Sequence, residues 1–151
     1  MTLEALLAYA HIVAILSLVT FLASEAALCR PEWLNTDAVR RLSRLDLYYL
    51  LAAMAVLLTG VARAVWGMKG LAWYGSQPLL WGKVVLYATI GLCSLPPTRA
   101  FRRWQRLVDT AGALPPADEV RAARRWVMLQ AHLVIGPPLL AVMLARGLLT
   151  R

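Results

Sequence analysis

Four blocks of largely apolar residues, at about 5–28, 47–66, 79–95 and 126–148, constrain this chain more than any other feature. Each approaches or exceeds the roughly 20 residues that carry a helix across a bilayer. Hydrocarbon offers no water to unpaired amides, so such runs fold as helices with internal hydrogen bonds. At 151 residues the chain has room for one domain. Its 60% hydrophobic and 16% charged residues are not the composition of a soluble globular protein. The expected fold is all-α: a single integral-membrane four-helix bundle over residues 1–151, with a short amphipathic interfacial helix after span one.

That extra helix is read from TDAVRRLSRL, which Asn35 or Thr36 can cap. Val39, Leu42 and Leu45 recur every third residue with Arg40, Arg41 and Arg44 between them, a pattern expected to lie on the membrane surface. Arg30-Pro31 ends span one, Pro96-Pro97 is expected to stop span three, and Pro137-Pro138 should kink or unwind span four. The turn over 67–78 carries Trp73 and Tyr74, which suit an interfacial belt.

The net charge of +8 would suggest nucleic acid as the partner of a soluble protein. Here Arg30, Arg40, Arg41 and Arg44 fall in the first connection, and Arg99, Arg102, Arg103, Arg106, Arg121, Arg124 and Arg125 in the third. The second connection has only Lys69, so the charge is a topology signal and no nucleic-acid partner is expected. The positive-inside rule then places both connections in the cytoplasm and both termini outside, in a bacterial inner membrane. No Lys or Arg precedes the first apolar run, so that span is read as retained rather than cleaved. The two cysteines, Cys29 and Cys93, have no metal or redox spacing and read as small core residues. Catalytic-triad, Walker and dinucleotide patterns are absent.

The ionisable residues within the spans carry the functional reading. Glu4, His11, Leu18 and Glu25 repeat every seventh residue and so share one stripe of a helix, expected to face the bundle. Lys83, Tyr87 and Ser94 share a face of span three. At a rise of about 1.5 Å per residue, His11, Arg63 and Lys83 lie within a few Å of one depth, roughly 6–10 Å outward of the bilayer centre. Trp66, Tyr74 and Trp81 belong to the same layer, whereas Glu25 and Asp46 lie near the inner side. A histidine with two cations and aromatic neighbours suits haem b or another porphyrin: His11 would ligate the metal, and Arg63 and Lys83 would hold the propionates. His132 is the second choice of ligand. Its depth differs from that of His11 by about 15 Å, which disfavours a bis-histidine iron. Snorkelling is the plain alternative for the two cations. Two other functions remain open: a non-enzymatic subunit or proton or ion path along the polar stripe, and copper handling by His11 with Met54, Met68, Met128 and Met143.

The combination of His11, Glu25, Arg44-Leu45-Asp46, Gly60 with Arg63, Lys69-Gly70, Tyr74, Lys83, Pro97-Thr98 and Trp104 resembles an uncharacterised bacterial family of four-span membrane proteins of unknown function. More distantly, His11 and Trp81-Gly82-Lys83 resemble the first-span histidine and tryptophan-to-lysine element of HemJ-type protoporphyrinogen oxidases. That resemblance implies a porphyrin site with His11 as axial ligand and, if the protein is an enzyme, an oxidoreductase. The substrate, the electron partner and the oligomeric state, a homo-oligomer included, stay open.

Overall fold

A computed structural model describes residues 2–66 and 75–146. Its elements are α1 (Leu3–Leu28), a 3₁₀ turn (Pro31–Trp33), α2 (Thr36–Trp66), α3 (Pro78–Ala111), α4 (Ala117–Leu133) and α5 (Gly136–Ala145), with no strand among the described residues. Four stretches are long and apolar enough to cross a membrane: α1, α2, α3, and α4 with α5 taken together. The all-α, four-span reading of the sequence therefore holds.

Local chemistry explains the boundaries. The Thr2 hydroxyl accepts the Ala5 amide at 3.4 Å and caps α1. The Asn35 side chain accepts the Ala38 amide at 2.8 Å and starts α2, as the sequence suggests. Gly112, at φ +62°, ends α3 in the left-handed conformation. The fourth span breaks at Val134 and Ile135, just before Gly136-Pro137-Pro138. Both prolines lack an amide to continue the ladder, and a Cβ at Gly136 would collide with the side chain of Leu86 on α3.

Two expectations are corrected. The amphipathic segment after span one is helical, but it is the first part of α2 and not a separate surface helix. Its Val39 and Leu42 are fully buried, because α1, α3 and α4 close over them and offer a better apolar partner than the membrane surface. Pro96-Pro97 does not stop span three. α3 runs through both for 34 residues. The cost of the missing amides is partly met from outside: Pro97 frees the carbonyl of Cys93, and Gln130 Nε2 on α4 donates to that oxygen at 3.2 Å.

These continuations shape the molecule. α2 and α3 are about 46 and 51 Å long, against a hydrocarbon thickness of about 30 Å. They extend together past the end of α1 and form, with α4, a basic helical extension called here the arginine end. The core centres there, with Cys29, Val39, Leu42, Phe101, Trp104, Val120 and Val127 all at most 1% exposed. Phe101 and Trp104 pack with ring centroids 5.5 Å apart. At the opposite end α5 buries no residue, and Leu3, Leu58, Trp66, Trp81, Leu139 and Val142 present apolar surface, as lipid-facing helices do.

Candidate functional site

α1 carries one inward stripe. His11, Ala14, Leu18, Leu22 and Glu25 are its buried residues, with Glu4 half-buried at its mouth. The seven-residue spacing thus places both ionisable side chains of the span interior against the bundle.

His11 is 5% exposed. Its Nδ1 lies 2.8 Å from the Thr59 hydroxyl on α2. That hydroxyl donates back to its own helix, at 2.6 Å from the Ala55 carbonyl, so its oxygen is left to accept from Nδ1–H. Nε2 then carries the ring's lone pair. Gly60 lies against the ring, where a Cβ would stand in van der Waals contact, 3.4 Å from Cε1. Lys83 on α3 and Arg63 on α2 are both half-buried, and both charges are felt at His11. Neither has a carboxylate partner among the described residues, where ion pairs join only Arg40 to Asp109 and Arg103 to Glu119.

The remaining sequence candidates scatter. Trp66 and Trp81 are 65% and 58% exposed, on the outside of the bundle. Trp81 Nε1 donates to the Gly75 carbonyl at 3.0 Å. Tyr74, with Met68, Lys69 and Trp73, lies outside the described residues. His132 is on the exposed side of α4 and its Nδ1 lies 2.6 Å from the Met128 carbonyl one turn back. The two histidines thus occupy different surroundings, one buried between α1 and α2 and the other facing outward. No three His, Cys, Asp or Glu side chains converge as a metal site among the described residues, and Met54 is 53% exposed.

A second polar layer lies toward the arginine end. Glu25 of α1 and Asp46 of α2 are 1% and 3% exposed, and the charge of Asp46 is felt at Glu25. Thr98 on α3 donates its hydroxyl to Asp46 Oδ1 at 2.6 Å. Glu25 Oε1 is buried with no donor, as is Gln130 Oε1 on α4. Tyr49 is 2% exposed and stands within electrostatic reach of Glu25, Asp46, Cys93 and Tyr87. The Tyr87 hydroxyl donates to the Ala53 carbonyl at 2.5 Å and ties α3 to α2. Nearby cations stay at the rim. Arg102 is felt at Asp46. Arg124 Nη1 donates to the carbonyls of Ala26 and Cys29, at 2.6 and 3.1 Å, and so closes the end of α1. Burial pushes the Cys29 thiol up to about 12, which makes it a packing residue and not a nucleophile.

Sequence reasoning placed Glu25 and Asp46 near one level but did not join them, and it missed Thr59 and Gln130. A threonine one residue before the glycine that meets the histidine is a weak signal. Gln130 becomes visible only once Pro97 is known to sit inside a helix.

These features define a four-span helical membrane protein with a polar interior in two layers. The chain belongs to the family described as predicted membrane protein (DUF2214), whose family model matches residues 3–148. No curated protein and no solved structure matches it.

Proposed function

We propose that this protein handles protons within the membrane, with the Glu25–Asp46 pair as its proton-binding site. The observation that carries the reading is a pair of carboxyls, from two helices, buried together without an ion pair, one oxygen having no donor at all. Asp46 has the Thr98 hydroxyl as a donor, whereas an ionised Glu25 would lack compensation worth several kcal/mol, so Glu25 is the member of the pair that carries the proton. Buried ionisable residues in spans are rare, and they mark proton or ion paths by default. Tyr49, Tyr87, Lys83 and His11 continue the polar interior from that pair toward the opposite end. By the positive-inside rule the arginine end faces the cytoplasm, so the carboxyl pair loads from that side.

Infrared spectroscopy on the purified protein tests the site: a protonated-carboxyl C=O band is expected, absent in Glu25→Gln. Proteoliposomes holding a pH dye test the path: an imposed gradient should dissipate faster than in empty vesicles, and not in Glu25→Gln. A carboxyl band that is absent from the wild type overturns the site. Flux equal to that of empty vesicles overturns the path.

One observation favours a second reading, haem binding at His11 in a redox protein. The Thr59 hydroxyl fixes the tautomer that leaves Nε2 free, the arrangement found behind metal-ligating histidines. His11 would ligate the iron, and Lys83 and Arg63 would meet the propionates. Haem would supply a one-electron centre there. A Soret band in purified protein, lost in His11→Ala and kept in His132→Ala, supports this reading, and protein that stays colourless after haem addition ends it.

A further inference from the structure

We propose that the cleft between the end of α1 and α4 binds the phosphate of an anionic phospholipid. Two adjoining depressions, of about 310 and 390 Å³, share Arg121 and Arg124 as walls. Arg30 lines the first and Arg125 the second. Four guanidinium groups thus face one carboxylate, that of Glu32. The surface ion pairs among the described residues use Arg40 and Arg103, so neither draws charge from the cleft.

The cleft is built rather than accidental. Arg124 is fixed by its bonds to the Ala26 and Cys29 carbonyls. Arg30 is held over the Trp33 ring at 5.1 Å. Guanidinium forks in fixed positions match phosphate oxygens, two bonds at a time.

What lies next to the charge identifies the ligand. Arg121, Arg125 and Met128 are spaced four and three apart on α4 and form one stripe, which leads from the basic rim onto the apolar part of the span. Trp126 and Leu129 beside it are 41% and 43% exposed, and Trp33 at the cleft's mouth is 59% exposed. A headgroup phosphate on the arginines would leave its acyl chain along Met128 and Leu129, with the two tryptophans at interface depth. A free phosphate would use only the first half of this surface. A zwitterionic lipid would bring its own cation to a site with three more positive groups than negative ones.

The test follows thermal unfolding of the detergent-purified protein with added phosphatidylglycerol, phosphatidylcholine or inorganic phosphate. Phosphatidylglycerol should raise the midpoint by about 5 °C at saturation, and the other two should leave it unchanged. Arg121→Gln with Arg125→Gln, both exposed positions, should weaken phosphatidylglycerol binding by about tenfold or more, whereas Arg106→Gln, away from the cleft, should not. Equal shifts with phosphatidylcholine, or with inorganic phosphate, overturn the proposal. So does an Arg106→Gln loss as large as that of the double variant, which would reduce the effect to diffuse charge.

Discussion

His11 and Glu25 stand on the same stripe of α1, fourteen residues and about 21 Å apart, yet the two ends of that stripe are built differently. Around Glu25 four helices converge, α2 and α3 run on past the end of α1, and α4 closes the side, so a carboxyl is sealed in with an unpaired oxygen. Around His11 the imidazole meets Thr59 and Gly60 of α2 and is satisfied by one hydroxyl, and the surrounding helices show apolar side chains outward. The physical reason is the solvent. Lipid gives helices no hydrophobic drive to associate, whereas the arginine end reaches into water, where apolar burial contributes about 25 cal/mol per Å². The buried layer at Glu25 is thus closed by the packing of the arginine end.

The sharpest way to break this comparison is to cut into the packed end. Trp104→Ala removes a side chain 1% exposed, with its indole N–H donating to Glu119 at 3.1 Å, and should cost about 3–5 kcal/mol in a denaturant titration in micelles. Leu139→Ala at the other end, 59% exposed, should cost about 0.5 kcal/mol or less. Similar losses at both sites would show that the two ends are packed alike.

The proline passage gives an intermediate effect. Gln130→Leu leaves the Cys93 carbonyl buried without a donor and should destabilise by about 1–3 kcal/mol. Pro97→Ala restores the amide that a helix would aim at that same carbonyl. In a double-mutant cycle the Gln130→Leu penalty should therefore shrink strongly in the Pro97→Ala background. Additive penalties would mean that Gln130 acts elsewhere.

The smallest effect is expected at the open end. Thr59→Val removes the His11 partner while keeping its shape, and should cost about 0.5–1 kcal/mol. Imidazole nitrogen shifts should then show mixed tautomers in place of the Nδ1–H form. A spectrum unchanged by the substitution would mean that something other than Thr59 fixes the ring.

What the sequence determined is what depends on spacing and solvent. Twenty-residue apolar runs in a bilayer leave the backbone no choice but helices, and a seven-residue repeat puts His11, Leu18 and Glu25 on one inward face. Asn35 and the glycine–proline run at 136–138 act through local hydrogen bonds, so the start of α2 and the break in span four were legible as well. Three features were decided only by tertiary structure. Pro96-Pro97 reads as a stop locally, but a helix continues through prolines when its freed carbonyls find donors, and Gln130 arrives from 33 residues away in sequence. Val39 and Leu42 read as a surface stripe until α1, α3 and α4 cover them. Glu25 and Asp46 share an approximate depth by arithmetic, but whether two inward carboxyls meet depends on the rotation of each helix about its axis. That rotation is set by side-chain packing among helices distant in the chain, and no single segment encodes it.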